Sequence, residues 1–247
     1  MTLAAALLFA TLTARARYLM GTVCEVRATS EADITRAFAE ADRIESFLSN
    51  WRPESELSRV NRGEGKAGNE LRELLDVTDA WTHKTNRAFD PRWNGRTIDS
   101  GAFGKGYALD RMLALIPGDA MIDFGGQIIV RGSMDVAIAD PADRQKPIVH
   151  FTLTNGSVST SSNAERGAHI VDPRTGRPIE ARGSASAIAD DALTADILST
   201  ALYVMGEDEG LRWADANGVA AIFIDAHKQI RMSAAALTRV RNFKTKD

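Results

Sequence analysis

The chain of 247 residues carries 30 Lys and Arg against 33 Asp and Glu, for a formal charge of -3 and a pI near 5.9. With 44% hydrophobic and 26% charged residues, it has globular composition and enough apolar chain for a sizeable core, which excludes disorder and fibre. The mild acidity and scattered basic residues also exclude a nucleic-acid partner, whose phosphate backbone calls for a basic field.

The chain opens on an apolar run, Leu3 to Leu12, followed by Ala14-Arg15-Ala16. This order resembles a secretory leader and its small-x-small cleavage site, so residues 1–16 are expected to be a leader and residues 17–247 one domain. A buried N-terminal helix is the other reading. Export would place the protein in the periplasm or another extracytoplasmic compartment, with peripheral association at the inner membrane open to it. No run reaches the roughly 18 apolar residues of a spanning helix. Cys24 stands alone, so no intramolecular disulfide or cysteine-based zinc cage can form, and a buried structural thiol is expected.

Met20 to Ala28 is rich in β-formers, and Glu31 to Leu48 sets Ile34, Phe38, Ala41, Ile44, Phe47 and Leu48 at helical spacing. Asn50 to Gly68 reads as a polar loop around a short turn at Ser55 to Val60, before a helix from Glu70 to Thr85. Pro91 to Thr97 is a further loop, and Gly101 to Gly106 a glycine-rich turn opening a helix over Tyr107 to Leu115. Short β-like runs follow at 120–123, 128–131, 135–139, 148–153 and 157–160. A polar turn at Asp172 to Gly176, a strand at Ser184 to Ile188, helices over 192–205 and 207–217, and a strand at Ala220 to Asp225 complete the pattern. Strands bunched rather than alternating with helices predict an α+β fold with mixed or antiparallel sheets.

Several segments carry chemistry. In Asp99-Ser100-Gly101-Ala102-Phe103-Gly104-Lys105-Gly106, glycines permit close backbone approach and a helix N-terminus offers unpaired N–H groups, a combination suited to a diphosphate. The spacing is neither that of a Walker loop nor that of the dinucleotide fingerprint, and a plain turn is the alternative. Asp196 and Thr200 stand four apart on a predicted helix and share one face, where a carboxylate and a hydroxyl can hold magnesium, with a capped or salt-bridged helix surface as the alternative. His169 and Asp172 abut a Pro and Gly turn, where a histidine can serve as a general base or as a satisfied structural residue. Trp51, in the polar loop Asn50 to Leu57, is either a stacking platform or a lid over the core. The glycine pair of Asp123-Phe124-Gly125-Gly126-Gln127 suits close packing or a ligand face.

Taken together and in this order, the pieces resemble the ApbE family, the FAD:protein FMN transferases. The resemblance runs from Tyr18 to Asp225 through Met20-Gly21-Thr22, the Ser-rich loop 48–61, Ala88-Phe89-Asp90-Pro91, the stretch 99–110, Phe124-Gly125-Gly126, Thr160-Ser161-Ser162, 169–178 and 195–206. It implies a T-fold-like architecture and a magnesium-dependent transfer of FMN from FAD to a threonine hydroxyl of a flavoprotein. By the same resemblance, Met20, Trp51, Ala88, Phe89, Asp90, Asp99, Lys105 and Ile170 would contact FAD. Ala102 (carbonyl), Asp196 (carboxylate), Ser199 (backbone) and Thr200 (side chain) would hold magnesium, and His169 would be the base. The chain departs from the family in a short connection from Asp90 to Asp99, a Trp at position 51 where Tyr is usual, and Ser100 in place of an aliphatic residue. The same residues would equally serve a magnesium-dependent FAD pyrophosphatase, whereas a non-catalytic FAD carrier would need neither metal nor base.

Overall fold

The structure is a computed structural model and describes residues 12–163 and 170–245. The apolar run through residue 11 and the expected base His169 lie outside the described residues. Strands β1 (Thr13–Leu19), β2 (Thr22–Ala28), β3 (Ala120–Phe124), β4 (Ile128–Asp140), β5 (Asp143–Ser161), β8 (Ser184–Ala189), β9 (Ala220–Ile224) and β10 (Ile230–Met232) lie side by side in one sheet. β11 (Arg241–Thr245) pairs with the first half of β5, and β6 (Val171–Asp172) with β7 (Arg177–Pro178) forms a separate small ribbon. Every pairing among the described residues is antiparallel.

Helices α1 (Glu31–Leu48), α2 (Glu56–Asn61), α3 (Asn69–Lys84), α4 (Gly104–Ala114), α5 (Ala192–Met205) and α6 (Glu207–Asn217) complete the first layer. Their apolar positions meet Cys24, Val26, Ile122, Phe124, Ala187 and Phe223 from one face of the sheet in a single core. A second core forms on the opposite face, because β4 and β5 are too long for the sheet and double back. The bend falls at Gly132, with φ +88°, and Asn155, with φ +44°, and the Gly132 N–H donates to Asn155 Oδ1 at 2.8 Å. Beyond it the hairpin lays Val136, Ile138, Val149 and Phe151 against Ile128, Val130, Val158 and Ile222 of its own sheet. The short helix α7 (Ala234–Arg239) adds Ala236 to this core. Covering both faces explains why β9 is buried at every position instead of alternating.

The structure redraws several expected boundaries. Met20 and Gly21, at φ +45° and +79°, form the turn between β1 and β2 rather than the start of a strand. Positive φ at both central residues matches the twist of a tight hairpin. Ala14, Arg15 and Ala16 sit in β1, opposite Arg27, Val26 and Glu25. The glycine-rich turn is already helical from Gly104. The four runs expected across 128–160 are two long strands. Cys24 is fully buried, and burial pushes its thiol up to about 12, so it is an inert core residue.

Candidate active site

One end of the sheet gathers the β1–β2 turn, the glycine pair between β3 and β4, the end of β5 and the start of β8 around a cleft of about 1190 Å³. That exceeds the range usual for small ligands and suits a dinucleotide. Loops 49–52 and 88–102 with α4 and α5 wall it on one side, and the tip of the doubled-back hairpin, from Ala137 to Pro147, on the other. The tip is tied across the glycine turn by Arg144, which donates to the Gly125 carbonyl, while Lys228 pairs with Asp140 at 2.7 Å.

The α4–α5 crossing carries the most ordered chemistry. A Cβ on Gly106 would lie 2.8 Å from Asp196 Cβ and collide with the backbone of Ala192, so only glycine lets the helices approach this closely. The contact lets the Gly106 N–H donate to Asp196 Oδ2 at 3.0 Å. Asp196 is 3% exposed, and its Oδ1 lies 3.5 Å from Ser159 Oγ. Thr200 follows one turn later, its Oγ1 3.3 Å from Ser161 Oγ. At the start of α5, the N–H groups of Ala192 and Leu193 donate to the two oxygens of Asp110 at 2.7 and 2.9 Å. Burial, with Asp191 and Asp196 nearby, raises the Asp110 carboxyl to about 6. Asp123, under the glycine turn, is also raised by burial.

All the residues expected to contact FAD, namely Met20, Trp51, Ala88, Phe89, Asp90, Asp99, Lys105 and Ile170, line this one cleft, as do Ala102, Asp196 and Thr200. Ser199 does not; it is fully buried behind the wall, its Oγ donating to the Asp196 carbonyl at 3.0 Å. Trp51 is 93% exposed at the mouth, which rules out a lid over the core. Asp90 is held by the Arg92 N–H at 2.8 Å and Arg87 at 2.6 Å. Asp99 caps the short 3-10 turn Ser100–Ala102 through the Gly101 N–H and also accepts from Trp93 Nε1 at 3.1 Å.

Sequence reasoning missed Trp93, which lines the cleft; its place in a polar loop was the same signal that picked out Trp51. It missed Ser159 as well and took Ser161 only as part of the Thr160-Ser161-Ser162 segment, although their alternation along β5 points both at α5. The short connection closes on itself. Asp99 N–H donates to Pro91 O at 2.8 Å, Asn61 takes and returns hydrogen bonds with Ile98, and Asn50 bonds Ile98 O and Ser100 N. Ser100 Oγ donates to Leu48 O at 2.8 Å, a contact no aliphatic residue could make.

Similarity to known proteins fits this geometry. The sequence pattern of the ApbE family matches residues 20–95 and 92–223. The chain belongs to the ApbE family. The ApbE protein of Thermotoga maritima superposes with a TM-score of 0.83 at 23% identity, covering 94% of this chain and all of that one. The flavinyl transferase ApbE of Pseudomonas stutzeri does so at 0.76 and 24%, over 92% and 96%. At such identities these likenesses speak for the fold. The FAD:protein FMN transferase of Treponema pallidum is 26% identical across 92% of this chain and 88% of its own. That alignment runs over 319 positions, more than the 247 residues here, so this ApbE chain lacks segments that the relative carries. A Klebsiella pneumoniae protein named FAD:protein FMN transferase is 32% identical over 156 residues, 56% of this chain and 49% of its own. The chain thus spans about half the length of that relative.

Proposed function

We propose that this ApbE chain moves the FMN half of FAD onto a hydroxyl of an acceptor protein, a threonine in a flavoprotein, with release of AMP. The observation that carries the reading is the meeting of Asp196 and Thr200 with Lys105 and the first turn of α4 in one dinucleotide-sized cleft. The transfer breaks a pyrophosphate bond at the FMN phosphorus, which requires charge neutralisation and in-line positioning more than covalent help.

The donors fit magnesium, because the Asp196 carboxylate, the Thr200 hydroxyl and the Ala102 carbonyl are all oxygens and the described part of the site offers no thiolate or imidazole to attract a softer ion. Bound there, magnesium would neutralise charge on the diphosphate. The chain's own residues do the rest. Lys105 makes no ion pair among the described residues, so its ammonium is available to a phosphate. In the first turn of α4 the Gly106 N–H is taken by Asp196 Oδ2, and those of Gly104 and Lys105 lie at the helix end that leaves N–H groups without intrahelical acceptors. Trp51 and Trp93 offer ring faces for a flat ring of FAD. His169 would take the proton as the acceptor oxygen attacks phosphorus and the bond to the AMP phosphate breaks.

The test is to incubate the protein with FAD, magnesium and a threonine-containing acceptor peptide, then weigh the peptide and assay AMP. A peptide heavier by FMN supports transfer. AMP with free FMN means pyrophosphatase, and neither product means a carrier. We also propose export to the periplasm on the strength of the apolar N-terminal run, with peripheral membrane association; among the described residues no helix is long and apolar enough to cross a membrane. Cell fractionation checks this.

A further inference from the structure

Three serines, Ser159 and Ser199 behind the cleft wall and Ser161 lining it, join the two side chains assigned to the cation. Ser159 and Ser161 alternate along β5 and face α5, where Ser199 sits between Asp196 and Thr200. The links run from Thr200 Oγ1 to Ser161 Oγ at 3.3 Å, from Ser161 Oγ to Ser199 Oγ at 2.9 Å, from Ser199 Oγ to Ser159 Oγ at 3.2 Å, and from Ser159 Oγ to Asp196 Oδ1 at 3.5 Å. Ser159 and Ser199 are buried, where a hydroxyl without a partner is costly.

A hydroxyl has one proton and an ionised carboxylate has none, so the anion sets the direction of the chain. Ser199 is the donor in its contacts with the Asp196 carbonyl at 3.0 Å and with Ser159 Oγ at 3.2 Å, and Ser159 passes its own proton to the carboxylate. The Ser161 contact at 2.9 Å allows either hydroxyl to donate, and with the one Ser199 proton used on the Asp196 side, Ser199 accepts from Ser161. With the Ser161 proton so committed, Ser161 accepts from Thr200. We propose that Ser161, Ser199 and Ser159 form a one-way hydroxyl relay that draws the Thr200 proton into the protein and turns the Thr200 lone pairs to the cleft. Thr200 is then oriented as a cation ligand before any cation arrives, and Ser161 is a positioning residue that acts through it. This rests on reading Asp196 and Thr200 as a cation site.

The test uses Mn²⁺ as the probe, binding to the full chain without FAD by calorimetry, alongside the melting temperature without metal. Ser161→Ala should weaken Mn²⁺ binding by about ten- to a hundredfold, as loss of an orienting partner does, with the melting temperature nearly unchanged. Thr200→Val should weaken it at least as much, and Thr200→Ser, which keeps the hydroxyl, should restore most of it. Because Ser161 acts through Thr200, adding Ser161→Ala to Thr200→Val should cost nothing further. Wild-type Mn²⁺ affinity in Ser161→Ala overturns the relay, as does the same loss in both backgrounds. Wild-type affinity in Asp196→Asn overturns the cation site, and the relay with it.

Discussion

At the scale of single residues, the cleft separates side chains that hold the fold from those held out for a ligand. Asp90 and Asp99 each accept two hydrogen bonds from the protein around them, which makes them part of the shape of the wall. Trp51 is the opposite case, for at 93% exposure it can contribute little to the core. Stacking on a flat ring is worth roughly 1–3 kcal/mol, and roughly 1.4 kcal/mol is tenfold in affinity. Trp51→Ala should thus weaken FAD binding about ten- to a hundredfold while leaving the melting temperature within about a degree, and Trp51→Tyr should restore most of the affinity. Fluorescence titration and a thermal melt on the same samples check this; unchanged affinity removes Trp51 from the site. For His169, a base acting on the acceptor proton predicts a rate loss of roughly 10²–10⁴-fold in His169→Asn. FAD affinity should stay near wild type, and an affinity loss with the rate kept at saturating FAD would assign the residue to the pocket instead.

At the scale of elements, the N-terminus of α5 concentrates the electrostatic tension of the molecule. Asp191 caps it through the Thr194 N–H at 2.7 Å and Asp110 takes the two N–H groups before it, those of Ala192 and Leu193, but burial raises the Asp110 carboxyl to about 6. A carboxyl whose folded pKa lies above its unfolded value of 3.8 binds its proton more tightly when folded. Its contribution to stability therefore falls as pH rises from about 4 to about 6 and is gained on the way down. Glu40 and Glu70, lowered by their bonds to Arg43, act in the other sense, losing stability as pH falls. The Asp110 term is isolated by comparison: across pH 4 to 7, the unfolding free energy of wild type should fall relative to that of Asp110→Asn between about 4 and about 6. Parallel denaturant curves for the two proteins would refute the assignment. The same helix shows what was legible beforehand. The bounds 192–205 and 31–48 were read to the residue because periodicity and capping residues agree there, with Asp191 and Ser30 at the N-caps. The start of α4 was read late because Gly104 and Gly106 look like a turn, and only the packing of Gly106 against Ala192 and Asp196 explains a glycine inside the helix.

At the scale of the whole molecule, the cleft exists because one sheet carries two cores, with helices packed on one face and the doubled-back hairpin on the other. Most of the residues expected at the site line one cleft because they cluster in short motifs that folding brings to one end of the sheet, whereas Ser199 is buried behind the wall and His169 lies outside the described residues. The hairpin was not legible in the sequence, because Gly132 and the pair Asn155-Gly156 interrupt β-like runs that read as separate strands, and nothing local tells that the chain reverses there. Gly132 tests this architecture. Its φ of +88° lies in the region that disfavours side chains, and an added Cβ would sit 2.7 Å from Asp119 Oδ1. Backbone strain of this sort costs of order 1–3 kcal/mol, and the contact with Asp119 adds to it. Gly63 is the control, with φ +74° and nothing within 4 Å of its Cβ, so that alanine there meets strain alone. Gly132→Ala should destabilise the protein more than Gly63→Ala. It should also weaken FAD binding to the folded fraction several-fold, because the bend sets where Ala137 to Pro147 wall the cleft. Gly63→Ala should leave that affinity at the wild-type value. Denaturant curves and FAD titrations on both variants decide the matter, and equal FAD affinity in the two would detach the hairpin from the site.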